Sequence, residues 1–355
     1  MLESIRLKGF TSFLDAELTF APGLNVIIGE NGLGKSHIIK LIYTLAWTSY
    51  ESYKKQNGED SNILATSQDV LSKAIAAKLV SVFRPEGLGR LVYRKRAKGP
   101  KTAIVAAKFS HPKSEISFDF SIRKKTEVNM HKFNAFAKAP AVFIPPGDVI
   151  SMMPFLKDAW AKYPYMLDAG YNDLSEFLSG TVPVGAIPSE IAPAVHQIED
   201  VLDGKILLDA GRFYIKINNG GKMEMPLVAE GWRKFAMLGH LIANRSIQKS
   251  SLLLWDEPEA NLNPRLIKFL AQILYSIATG GTQVIISTHS LFLLREFDLL
   301  SRADKQQMAN STYFALKMTD NGTTVNMFNA VEDLDPIVSL DEEINQSEKY
   351  MGIAE

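Results

Sequence analysis

The chain has 355 residues, 46% hydrophobic and 22% charged, an ordinary globular composition long enough for about two domains. It contains no cysteine, which excludes thiol nucleophiles, thiolate metal sites and a disulfide framework, and makes a reducing compartment, the cytoplasm, the expected location. Lys plus Arg and Asp plus Glu each number 39, but the balance is uneven: residues 84–125 carry net +9 and residues 331–355 net −7, so these segments are expected to attract each other or separate partners. The N-terminus MLESIRLKGF has no apolar core, and no later stretch reaches the ~18 uncharged apolar residues that a spanning helix needs, so neither a signal peptide nor a membrane partner is expected.

In chain order, Ile5, Leu7 and Phe10 and then the run from Leu14 to Phe20 alternate in the strand manner. Pro22-Gly23 separates them from Leu24-Asn25-Val26-Ile27-Ile28, apolar on both faces like a buried central strand. A Gly-rich loop at 29–36 follows, then helical periodicity from Ile38 to Trp47. Residues 51–75 are polar, with helical spacing in their second half. From Leu79 to Ser121 the runs Leu91-Val92-Tyr93, Ala103-Ile104-Val105 and Ile116-Ser117-Phe118 predict an antiparallel β extension carrying the positive charge. Ala141 to Ile144 is a short buried strand closed by Pro145-Pro146-Gly147, residues 155–203 read as helices with proline breaks, and residues 213–225 as a hairpin. A helix from Gly231 to about Ala243, strand Leu252 to Trp255, helix Pro264 to Ile277, strand Gln283 to Ile286 and helix Leu291 to Leu300 complete the pattern. A last hairpin turns at Asp320-Asn321-Gly322, and Ile337, Leu340 and Ile344 predict a short amphipathic tail helix, packed on its own head or used for docking. No internal repeat or sustained heptad pattern is present.

Two motifs carry chemistry. Gly29-Glu30-Asn31-Gly32-Leu33-Gly34-Lys35-Ser36 fits the phosphate-binding loop, in which glycines let backbone N–H groups surround phosphate oxygens at a helix N-terminus. Lys35 would reach the β- and γ-phosphates and Ser36 would ligate Mg²⁺. The second is the apolar strand ending in Asp256-Glu257. Beside a phosphate-binding loop, Asp256 is placed to hold the Mg²⁺ shell and Glu257 to polarise the attacking water.

With Glu30-Asn31-Gly32 in the loop, Asp256-Glu257-Pro258-Glu259-Ala260-Asn261-Leu262-Asn263-Pro264 at the second site and Ser287-Thr288-His289-Ser290 one strand later, the chain resembles the ABC-type ATPase heads of the SMC, RecF and OLD proteins. The resemblance covers residues 1–50 and about 226–300; the middle matches by order only. It implies ATP and Mg²⁺ as cofactors and a dimer sandwiching two ATP molecules, each between the phosphate-binding loop of one subunit and the signature helix of the other. It also implies that His289 is a switch histidine meeting the γ-phosphate and that Asn261, Leu262 and Asn263 form the loop signalling between sites. The signature would be Val228-Ala229-Glu230-Gly231-Trp232, departing from Leu-Ser-Gly-Gly-Gln at Ala229 and Glu230, with charge supplied by Arg233 or Lys234; an ordinary core helix is the alternative. The glutamine loop is replaced by Pro145-Pro146-Gly147-Asp148, where Asp148 is a substitute near the metal or a solvated turn residue.

The six histidines show no paired ligand spacing and no nuclease constellation is visible, unlike in the OLD nucleases, which carry a nuclease domain after the head. Arg94, Lys95 and Arg96, with Arg84, Arg90, Lys98 and Lys101, are a candidate nucleic-acid contact or the solvated face of a sheet.

The expected fold is α/β, a P-loop NTPase of ABC/SMC type with an N-terminal β-layer, a β-rich basic insertion and a helical lobe. Its parts are an ATPase core at 1–50 and 226–330, an insertion at 51–144, a lobe plus hairpin at 145–225 and an acidic tail at 331–355. The Glu-Pro-Glu…Asn-Pro pattern after Asp256 looks closer to the OLD-like ATPases of bacterial anti-phage modules, including the Septu ATPase PtuA, than to RecF. The expected function is thus an ATPase subunit of a defence complex, acting with a separate effector such as a nuclease. The alternatives are a RecF-like DNA-repair ATPase and a non-hydrolysing nucleotide sensor or scaffold.

Overall fold

The computed structural model describes residues 1–94, 99–110, 114–134, 137–163, 167–183, 185, 189, 192–303 and 310–352. Its centre is a six-stranded sheet of β3 (Leu24–Ile28), β7 (Ala141–Ile144), β11 (Leu252–Asp256), β12 (Gln283–Thr288), β13 (Ser311–Thr319) and β14 (Gly322–Phe328), in the order β14-β13-β3-β12-β11-β7. All pairs are parallel except β13–β14, the predicted hairpin at Asp320-Asn321-Gly322. Strands β3, β7, β11 and β12 are buried at every position, the reason their sequences read as continuous apolar runs.

Successive residues of these strands feed two cores. Val26, Leu253, Trp255 and Ile286 join the core under α5 (Ala192–Leu202), α6 (Glu230–Ala243), α7 (Pro264–Thr279) and α8 (Leu291–Ala303). Ile27, Leu254 and Ile285 join the core under α1 (Lys35–Gln56), α2 (Gln68–Phe83) and a second sheet. That second sheet is antiparallel, in the order β2-β1-β4-β5-β6, from β1 (Leu2–Phe10), β2 (Phe13–Thr19), β4 (Thr102–Phe109), β5 (Ser114–Ser121) and β6 (Asn129–Phe133). The N-terminal β-layer and the β-rich insertion are therefore one continuous sheet. Buried Gln283 fastens it to the parallel sheet: Oε1 accepts from Leu2 N at 2.8 Å, and Nε2 donates to Leu2 O at 2.8 Å and Ala21 O at 2.9 Å.

Helices α3 (Met153–Lys162), α4 (Ala169–Leu178) and α5 form the lobe, followed by a small sheet of β8 (Gly204–Asp209), β9 (Arg212–Ile217) and β10 (Lys222–Glu224). Helix α9 (Val338–Tyr350) closes the described chain, with Leu340 against the core.

Four local readings are corrected. Residues Leu88–Leu91 form a single 3-10 turn and Val92 makes only an isolated bridge to Phe10, so Leu91-Val92-Tyr93 is not a strand; the short run is consumed by packing under β1. Helix α1 continues past Trp47 to Gln56, because Thr48, Ser49, Glu51 and Ser52 are buried polar positions that continue its inward face. Strand β8 was unpredicted and extends the hairpin to three strands. Strand β7, inside the segment drawn as an insertion, belongs to the core sheet beside β11. Among the described residues the acidic tail pairs with α8: Arg295 lies 3.5 Å from Glu343 and Arg302 lies 3.3 Å from Glu332.

Candidate functional site

The phosphate-binding loop joins β3 to α1. Gly32 and Gly34 have φ of 80° and 98°, a region L side chains avoid. A Cβ on Gly32 would meet nothing within 4 Å, so the backbone there is open to a ligand; a Cβ on Gly34 would strike Ser12 Oγ and the Phe13 ring. Ser12 Oγ also donates to Leu33 O at 3.0 Å, so the β1–β2 turn braces the loop. The Lys35 Nζ is buried and donates to Gly29 O at 2.7 Å and Glu30 O at 3.0 Å. Burial lowers the Lys35 pKa, opposed by the charges of Glu257, Asp256, Glu259 and Glu30. The ammonium thus rests on loop carbonyls within an acidic surround.

The second wall comes from the neighbouring strand ends. Asp256 is 2% exposed, lies opposite Ser287 in the parallel register and accepts a hydrogen bond from the Ser287 hydroxyl. Glu257 turns out of the strand at φ 50°, its N–H donating to Ser287 O at 3.0 Å. His289 follows β12 and places Nδ1 3.5 Å from Glu257 Oε1. Because β3, β12 and β11 are adjacent and parallel, their C-terminal ends bring the phosphate-binding loop, His289 and the Asp256–Glu257 pair to one sheet edge, where ligands of such sheets bind. A cavity of about 570 Å³ opens there, lined by Gly29, Glu30, Asn31, His289, Met318 and, from the tail helix, Glu342.

The signature candidate opens α6. Ala229 is its N-cap and makes no side-chain cap bond, so the terminus depends on other groups for its first N–H donors. Glu230 accepts from Asn261 Nδ2 at 2.8 Å. Gly231 is buried: a Cβ would lie 2.9 Å from Leu266 Cδ1 and 3.0 Å from Leu262 Cδ2, so its smallness serves the close approach to Leu262 and α7. In the signalling-loop candidate, Asn261 takes φ 62° and Asn263 caps α7, its Oδ1 accepting from Leu266 N at 3.0 Å ahead of Pro264.

Three expectations are revised here. Arg233 does not offer free charge: it is ion-paired to Asp148 and also donates to Ser151 Oγ at 3.3 Å. Asp148 is accordingly tied to α6 and to Ser151, away from a metal role. Lys234 is turned inward, Nζ donating to Pro258 O at 3.2 Å and Ala260 O at 2.6 Å, with a pKa lowered by burial. Sequence reasoning also passed over Glu259, 5% exposed within the same motif, and Glu342 at the cavity mouth. A place in the Glu-Pro-Glu pattern was the signal for the first; the second is visible only in three dimensions.

Of the basic residues, Arg94 is exposed and donates to Gly89 O at 3.1 Å, while Lys95 and Arg96 lie outside the described residues. Neighbouring charges are partly paired in place, Lys124 with Glu127 at 2.6 Å and Lys132 with Glu115 at 3.1 Å.

Among the described residues no group of three or more His, Asp and Glu side chains could hold a metal alone. Ser36 and buried Asp256 are hard oxygen donors of the kind Mg²⁺ takes when phosphate oxygens and water complete its shell, so the residues present fit a nucleotide-bound Mg²⁺. No helix among the described residues is long and apolar enough to cross a membrane.

Against known proteins, residues 24–295 match the family described as "AAA domain, putative AbiEii toxin, Type IV TA system". Shorter stretches resemble the DNA replication and repair protein RecF, 42% identical over 48 residues in Limosilactobacillus fermentum and 41% over 59 residues in Streptococcus gordonii. These cover 14% and 17% of this chain but only 13% and 16% of the relatives' own length. Among solved structures, an SMC head bound to the C-winged helix domain of ScpA aligns over 92% of this chain and 97% of that one, with TM-score 0.56 and 16% identity. An SMC head with coiled coil and joint from Pyrococcus yayanosii aligns over 97% and 99%, with TM-score 0.58 and 11% identity. The α/β fold is thus that of an ABC/SMC-type P-loop ATPase head, and the chain, matched over about three quarters of its length, belongs to the AAA-domain family named above.

Proposed function

We propose that the chain binds and hydrolyses ATP with Mg²⁺ and uses the nucleotide as a dimerisation switch. The observation that carries this is the convergence of Lys35, Asp256, Glu257 and His289 on one sheet edge beside an open glycine loop. In the reaction a water oxygen forms a bond to the γ-phosphorus, the bond to the β,γ-bridging oxygen breaks, and ADP and phosphate leave. Glu257 orients the water and takes its proton, Lys35 exchanges the Gly29 and Glu30 carbonyls for phosphate oxygens, and His289 meets the γ-phosphate. Ser36 and Asp256 would hold the Mg²⁺, which would supply neutralisation of phosphate charge. Loop N–H groups of residues 29–36 supply most of the remaining positioning, which is the main task in phosphoryl transfer.

The partner in the switch is a second copy, with the α6 terminus at Ala229, Glu230 and Gly231 facing the nucleotide and Asn261, Leu262 and Asn263 linking the two sites. Gly231 being packed inside, the facing atoms are those of the first-turn backbone. The biological role we propose is that of an ATPase subunit working with a separate effector in anti-phage defence, on the Asp-Glu-Pro-Glu…Asn-Pro pattern. Light scattering and phosphate release on wild type and Glu257→Gln, with and without Mg-ATP, test the switch. A variant that hydrolyses little and accumulates a larger species supports it; no change of size and no phosphate release in either protein refutes it. A stoichiometric complex with the product of a neighbouring gene tests the effector.

The local likeness to RecF favours a second reading, direct DNA binding. It requires DNA-stimulated hydrolysis that falls steeply with salt and is lost on replacing Arg94, Lys95 and Arg96 by alanine.

A further inference from the structure

The loop after Glu257 carries a second glutamate that the reaction above leaves without a task. Glu259 is 5% exposed, and its Oε1 is the focus of the turn following β12. It accepts the Thr288 hydroxyl and the His289 backbone N–H, the latter at 3.2 Å, and lies 3.8 Å from His289 Nδ1. Its Oε2 is buried and has no hydrogen-bond partner. On the other side, Lys234 of α6 donates to the carbonyls of Pro258 and Ala260, the two residues flanking Glu259. One carboxylate therefore joins the His289 turn to a loop that α6 holds by its backbone.

Fastening two backbones does not call for charge. A glutamine could accept the same two bonds through its amide oxygen, without placing a partly unpaired carboxylate in the interior. The charge acts on the Lys35 and Lys234 ammonium groups, whose pKa values it raises against burial, and it also faces the imidazole. Glu257 at 3.5 Å and Glu259 at 3.8 Å approach the same nitrogen, but Glu257 has a side chain 31% exposed whereas that of Glu259 is 5% exposed and anchored. A fixed carboxylate facing Nδ1 favours the proton on that nitrogen and sets the ring plane, leaving Nε2 to meet a ligand, the arrangement by which carboxylates orient histidines elsewhere.

We propose that Glu259 is a positioning residue: it fixes the turn bearing His289, orients the imidazole through Nδ1, and ties that orientation to α6 through the loop Lys234 holds. This deepens the ATPase reading and rests on it for the consequence in turnover, but not for the effect on the histidine.

The test separates the two. Long-range ¹H–¹⁵N spectra without nucleotide, with the His289 signals assigned by a His289→Asn variant, read the imidazole directly. Glu259→Gln should change the Nδ1 and Nε2 pattern of His289, and Thr288→Val, which removes the opposing donor, should change it too. An unchanged pattern in both folded variants overturns the proposal. In steady-state kinetics Glu259→Gln should lower kcat by about 10- to 100-fold, as loss of positioning does, with KM within about twofold. In a His289→Ala background it should add nothing, because the two residues act as one unit. A full additional loss there overturns the proposal. If the wild type releases no phosphate, the ATPase reading fails while the spectra still decide the role of Glu259.

Discussion

Gly32 and Gly34 belong to one motif and share a left-handed backbone, yet replacing each by alanine should have different effects. At Gly32 only conformation matters: forcing an L residue to φ 80° costs about 1–2 kcal/mol, and the added methyl meets nothing within 4 Å. At Gly34 the same strain at φ 98° is joined by collision with Ser12 Oγ and with Phe13 Cε2 at 2.9 Å and Cζ at 3.0 Å. Overpacking of this kind adds about 1–3 kcal/mol, for a total of about 2–5 kcal/mol. With an unfolding entropy of roughly 2 cal/mol/K per residue, a chain of this length loses about 1–1.5 °C of Tm per kcal/mol. Calorimetry without nucleotide should therefore show Gly34→Ala down by about 3–7 °C and Gly32→Ala by about 1–3 °C. Because Ser12 Oγ would have to abandon Leu33 O, Gly34→Ala should also weaken binding of a fluorescent ATP analogue. Equal Tm losses in the two variants would refute the packing argument and leave backbone strain as the whole effect.

Three further outcomes follow from the geometry. His240 donates through Nε2 to the carbonyls of Leu178 or Gly180, each at 3.1 Å, and burial lowers its pKa despite them. The unfolded chain then binds the proton first, so stability holds above the unfolded value of about 6.5 and falls as pH drops through it toward the lower folded pKa; thermal melts from pH 8 to 5 should show this decline flattened in His240→Gln. Arg233→Met should cost about 1–3 kcal/mol by leaving the Asp148 charge with only its Ser151 hydrogen bonds, and a double-mutant cycle with Asp148→Asn, read in urea melts, should show the two losses to be strongly non-additive. Removing the charge of Glu342 from the cavity mouth, by Glu342→Gln, should lower KM for Mg-ATP severalfold at low salt and little at high salt, because an exposed carboxylate repels the incoming phosphates only until it is screened; salt-independent kinetics would place the acid too far away to matter.

The sequence by itself determined the elements that depend on short-range chemistry. Leu24 to Ile28 and Leu252 to Trp255 had to be buried strands because they are apolar on both faces, and residues 29–36 had to be a phosphate-type loop because their glycines and Lys35 leave little else that spacing could mean. Asp256 and Glu257 could be read as companions of that loop from the apolar strand they end, and His289 through resemblance. Tertiary structure decided whatever depends on which surfaces meet. That β1–β2 and the basic insertion form one sheet follows from the pairing of β1 with β4, nearly a hundred residues apart, which no local pattern encodes. That Gly231 serves packing, that Arg233 and Lys234 are spent on Asp148 and on loop carbonyls, and that Glu259 grips the His289 turn follow from contacts across separate elements. A side chain's charge can be read from sequence; the group that neutralises it is fixed only when the chain closes around it.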